Sequence, residues 1–219
     1  MKWFGLDPDS VAARLEASGR QEHVPSLRES ILVGGVGFAA VGLAAFGVWA
    51  GVGPWLDKHV GELGLYAACA VVLIGGGGGV FGRLVIGPGR LRRFCGLFAL
   101  GFFLYAGAWT GSFFSLQSQS GEWLGSVLGP AILGMTLVNA FSAPGAVKEV
   151  VAVLCLTHSI GYFAGRFLYG AIPPPIGNLF WGAAYGLCFG AGIGFALFVC
   201  QEAIRARLRP TAGPTPGSQ

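Results

Sequence analysis

Residues 179–200 read LFWGAAYGLCFGAGIGFALFVC, an apolar run without a charged side chain in which Gly182, Gly186, Gly190 and Gly194 recur every four positions. Roughly 20 apolar residues as helix cross a bilayer core, so this run is a membrane span. It is the last of six; the others are Ile31 to Val52, Leu63 to Gly82, Phe94 to Phe114, Leu124 to Phe141 and Val150 to Leu168. The expected fold is an all-α integral membrane protein, a six-transmembrane-helix bundle with Gly-rich packing. A soluble domain is excluded, because 53% of the residues are hydrophobic and 11% charged, against roughly 25% charged in ordinary soluble proteins.

Charge orients the bundle. Lys2, Arg14, Arg20, Arg28, Arg83, Arg90, Arg92, Arg93, Lys148, Arg205, Arg207 and Arg209 fall on one side of the six spans, leaving Lys58 and Arg166 on the other. The positive-inside rule then makes the N- and C-termini cytoplasmic, in a bacterial-type cytoplasmic (inner) membrane. Trp49, Trp55, Trp123 and Trp181 fall at predicted outer ends, where an indole keeps its N–H wet, and Trp3 marks the inner face. The first span follows a segment too long and too acidic for a signal-peptide n-region, so it is expected to stay uncleaved.

Three regions follow: a cytoplasmic N-terminal segment 1–26, the bundle 27–204, and a basic end with a disordered tail, 205–219. In the first, Asp7 as N-cap and Pro8 at the first helical position predict a short amphipathic helix with Val11 and Leu15 on one face, lying on the membrane surface. Ser26 and Glu29 have capping-box spacing, which starts the first spanning helix at about Leu27. The tail after Arg209 is rich in Pro and Gly and too poor in apolar residues to fold.

Lipid tails are as apolar as leucine, so membrane helices associate by close packing at small residues. The stripe of Gly182, Gly186, Gly190 and Gly194 therefore predicts a helix-packing face, either within the bundle or toward a second copy or membrane partner. Gly107 with Gly111 and Gly161 with Gly165 repeat the spacing. The run Gly75 to Gly79 allows two readings: a broken helix lining a cavity, or close packing against a bulky neighbour. Gly77, Gly79 and Gly82 match GxGxxG, but no strand precedes them and the match has no nucleotide-binding meaning.

Chemistry has one candidate location. His158 sits near the middle of the fifth span, with Tyr162 and Arg166 following at intervals of four on the same face. The third span offers Tyr105, Trp109, Thr110, Ser112 and Ser115. Should these faces meet, the outer half holds a polar, aromatic pocket that binds or passes a small molecule or lipid, lined by Tyr105, Trp109, Thr110, His158, Tyr162 and Arg166. The competing reading is a neutral histidine hydrogen-bonded between helices, in a structural or accessory subunit without a pocket.

No catalytic residue is assigned: HExxH and a serine nucleophile elbow are missing, and His23, His59 and His158 belong to different regions. Five dispersed cysteines without CxxC spacing give neither a disulfide framework nor a metal site, and no cofactor is expected. No acidic residue lies deep in any of the six windows, which weakens an ion-coupled transporter. The basic residues flank spans, so the expected partners are membrane lipids with anionic headgroups, not nucleic acid. Residues that would identify aquaporins, mitochondrial carriers or rhomboid proteases are missing.

Overall fold

The computed structural model describes residues 4–19 and 22–209, so Lys2, Trp3, Arg20 and the Pro-rich tail from residue 210 lie outside the described residues. Among the described residues the regular elements are all helical. They are α1 (Pro8–Ser18), α2 (Leu27–Gly61), α3 (Leu63–Gly82), α4 (Arg90–Leu116), α5 (Gln119–Ala140), α6 (Val147–Ala171), α7 (Ile176–Cys200) and α8 (Glu202–Leu208), with a 3-10 turn at Pro144–Ala146. Helices α2 to α7 are long and apolar enough to cross a membrane, the architecture of a multi-pass membrane protein. Helices α1 and α8 touch, so one end of the bundle gathers both ends of the described chain; we call it the terminal end and the other the distal end.

Local chemistry sets the helix starts. The Asp7 carboxylate accepts from the Ser10 N–H at 3.0 Å. Ser26 and Glu29 complete the capping box, with the Glu29 N–H donating to Ser26 Oγ at 3.1 Å. Between α2 and α3 the chain passes through Gly61 at φ 76 and ψ 170, a conformation that glycine adopts without the clash a Cβ would bring. At 35 residues α2 is about 52 Å long, well beyond a bilayer core of about 30 Å, so it tilts or reaches past the hydrocarbon.

Helix α7 lies between α2 and α6. Its four-residue glycine stripe faces α2. A Cβ on Gly182 would stand 2.6 Å from the Gly42 carbonyl, and one on Gly186, Gly190 or Gly194 would strike the backbone of Phe38, Gly34 or Ser30. Its opposite side meets α6, where a Cβ on Gly161 would be 3.1 Å from Tyr185 Cα and Gly165 lies under Trp181. A second stripe, Gly121, Gly125 and Gly129 on α5, accommodates Ser112, Trp109 and Tyr105 of α4. Gly107 and Gly111 do not share this role: both face open space.

The run Gly75 to Gly79 stays helical within α3. Three of its glycines turn to three different neighbours, Gly76 to Val41, Gly77 to Phe98 and Phe38, and Gly78 to Cys95, while Gly75 and Gly79 face open space. Close packing is thus the observed arrangement. It seats a phenyl core in which Phe38, Phe81, Phe94, Phe98 and Phe189 are fully buried, with Phe38 and Phe81 centroids 5.2 Å apart.

The terminal end is closed by side chains. Gln201, 3% exposed, accepts from the Ile86 N–H at 2.7 Å and donates to the Leu84 and Leu197 carbonyls at 3.0 Å each. Val11 of α1 is buried against Ile86 and Ile204, so protein covers the face expected to lie on lipid. Arg207 pairs with Asp9 at 2.9 Å and Arg90 with Glu22 at 2.9 Å. Arg14 bonds the Gly5 carbonyl, and burial followed by the nearby Arg93 charge lowers its pKa from the ordinary value.

Candidate functional site

Helices α4, α6 and α7 bring three hydrogen-bonding side chains together at mid-bundle. His158 on α6 is fully buried. Its Nε2 lies 2.7 Å from Tyr105 Oη on α4, which lies 3.0 Å from Tyr185 Oη on α7. Glycine makes this approach possible: a Cβ on Gly129 would stand 2.7 Å from the Tyr105 ring, and one on Gly161 would strike the backbone at Tyr185. Rings close round the imidazole, with Phe189 edge-on at 5.0 Å and Tyr162 nearly parallel at 6.1 Å.

Of the residues expected to line a pocket, Tyr105, His158 and Tyr162 meet here, and Trp109 joins them through Tyr162 with centroids 5.6 Å apart. Thr110 does not: it is exposed on another side of α4. Arg166 lies farther toward the distal end, where it forms an ion pair with Glu122 of α5. The window starting at Leu124 left this carboxylate outside the span, whereas α5 begins at Gln119 and takes Glu122 into its first turn. Lys148 and Glu149 are exposed at the start of α6.

Tyr185 is masked in the sequence by the glycines on either side of it. Its position, three residues after Gly182 and one before Gly186, put it beside the stripe and toward α6. Trp49 and Trp181 are half-buried. They pack on each other and on Phe46, at 5.6 to 6.2 Å, whereas Trp55 and Trp123 are 60% and 51% exposed.

Two open grooves lie elsewhere. One of about 500 Å³ at the terminal end is lined by Ser18, Glu22, Gly87 and Arg90; one of about 470 Å³ at the distal end is lined by Phe163, Arg166, Phe167 and Gly170. Neither includes His158. Among the described residues no three His, Cys, Asp or Glu side chains converge as a metal site. What the cluster can do chemically is exchange hydrogen bonds and protons: one imidazole and two phenols in series, in a surround of phenyl rings. No protein-family model, curated protein or solved structure matches this chain.

Proposed function

We propose that this chain is an integral protein of a bacterial-type cytoplasmic membrane, both termini cytoplasmic, that binds or passes a small molecule or lipid through its distal, outer-leaflet half. The observation carrying this reading is the imidazole of His158, held at mid-bundle in hydrogen-bond contact with Tyr105. An ionisable side chain at that depth is expensive, and such residues characteristically serve a ligand or ion path. Tyr105, Tyr185, Tyr162 and Trp109 form the wall, and the Glu122–Arg166 pair stands at the outer mouth. On this reading the rings packed round His158 part to admit the ligand. Native mass spectrometry from mild detergent tests it: wild type retains a small molecule or lipid that His158→Ala loses, and equal retention removes the basis of the reading.

A second reading, an accessory subunit without a ligand, is favoured by the rings that pack against His158. The α7 stripe is occupied by α2, so a docking partner would use the open α4 face at Gly107 and Gly111. An empty wild-type protein recovered in a defined complex supports that reading.

A further inference from the structure

Three buried polar atoms in the wedge between α4, α5 and α6 have no hydrogen-bond partner among the described residues: Trp109 Nε1, Ser126 Oγ and His158 Nδ1. Buried polar atoms are ordinarily paired, and one left alone carries its full desolvation penalty, so each asks for a partner. Neighbour contacts tie the three together. Trp109 turns the edge bearing Nε1 toward α5, where a Cβ on Gly125 would stand 3.0 Å from Cδ1, the carbon bonded to that nitrogen. Ser126 comes next in α5, and its carbonyl receives the Ser159 hydroxyl at 3.5 Å, one residue from His158. The Tyr162 ring touches both Trp109 and His158.

The two ends of this wedge differ. One turn distal of Ser126 the Glu122–Arg166 pair reaches the surface, with the arginine side chain 48% exposed. On the other side of His158 come the Tyr105 and Tyr185 phenols and the Phe189 ring, and beyond Tyr105 lie Phe102 and Phe98, phenyl rings that offer no hydrogen-bonding group. The titratable groups facing the imidazole are Tyr105 from α4, Tyr185 from α7 and Tyr162 from α6, with Glu122 the nearest from α5 and Arg166 two turns along α6.

We propose that Trp109, Ser126 and His158 line a water-bearing passage opening at the Glu122–Arg166 pair, through which His158 exchanges protons with the aqueous phase on the distal side alone. In the exchanging form Nε2 carries the hydrogen donated to Tyr105 Oη and Nδ1 accepts. A hydronium gives its proton to Nδ1, leaving water and an imidazolium; the reverse step returns it by the same path, and no electrons move. This rests on the reading of His158 as a functional group and makes the charge of the ligand site answer to the distal-side solution.

The test is nitrogen-15 NMR of histidine-labelled protein in proteoliposomes of known orientation. The distal-side solution is stepped from about pH 8 to about pH 5, across which acid-catalysed exchange of a ring N–H with water changes by orders of magnitude. The expected result is a His158 ring hydrogen that exchanges with water within seconds, faster as the distal side is acidified and indifferent to the other side. Ser126→Val and Trp109→Phe, each checked for wild-type thermal unfolding, slow that exchange by about tenfold or more. Exchange over hours with no response to acid on either side overturns the proposal, as does a response to the terminal-side solution. Ligand retention read separately by native mass spectrometry keeps the two claims apart: a retained ligand with a sealed His158 defeats only this inference.

Discussion

Gln201 does at the terminal end what a turn of helix does elsewhere: one amide satisfies a backbone N–H and two carbonyls. Replacing it by leucine keeps the volume and deletes all three bonds, leaving the Ile86 N–H and Leu84 carbonyl buried and unmet. Each orphan costs about 1–3 kcal/mol. Gln201→Leu is expected to lower the denaturant midpoint in mild detergent and to speed hydrogen exchange at Ile86 before exchange in α7 changes. Residues of this kind were the least legible in the sequence. A glutamine after an apolar run reads as the end of a span, and nothing local says that two of its three partners lie more than a hundred positions earlier. Glu122 was hidden differently, because a hydropathy window drops its own polar ends, and the helix continues where the hydropathy does not. His158 was legible because an ionisable side chain inside an apolar run stands out, although the run itself left a ligand role and an interhelical hydrogen bond equally open.

At the scale of elements, six spans were readable from apolar run length, and so were the starts of α1 and α2 from Asp7, Pro8, Ser26 and Glu29. Which glycines meet a helix was only partly readable, because the spacing is the same whether the face is turned inward or toward lipid. Gly107 and Gly111 share the spacing of Gly186 and Gly190 and face nothing. The contrast is measurable. Gly190→Leu drives a side chain into the backbone at Gly34 and is expected to cost at least the 1–3 kcal/mol of ordinary overpacking, about the lower limit where backbone must move. Gly107→Leu is expected to stay within about 0.5 kcal/mol of wild type. Equal effects in thermal unfolding would mean that the α2–α7 seam is not a tight contact. The glycine run of α3 teaches the same lesson in another form: successive residues on a helix are about 100° apart, so three glycines in a row clear space in three directions. That lets Val41, Phe98 and Cys95 approach one helix from different sides.

For the molecule as a whole, the surface charge divides into two sets. Arg90, Arg207, Arg14 and Arg205 are engaged by protein groups, Arg205 over the Phe198 ring at 3.4 Å. Arg28, Arg83, Arg92, Lys148 and Arg209 are exposed, and these are the ones we propose to meet lipid headgroups. Near an anionic surface each is worth about 1 kcal/mol. Arg83→Gln with Arg92→Gln is therefore expected to reduce retention of anionic lipid in native mass spectra, with a smaller difference at high salt. Arg90→Gln should instead loosen the segment bearing Glu22. The central place of α7 also bears on how the protein is made. Synthesis runs from the N-terminus, so α2 and α6 enter the membrane before the helix that fits between them exists. Until residue 200 has left the ribosome, the glycine grooves of α2 and α6 have only lipid or an insertion factor to cover them, and the turn at 84–86 waits for Gln201. A nascent chain stopped short of α7 would leave the packing faces of α2 and α6 without their partner, a natural substrate for membrane quality control.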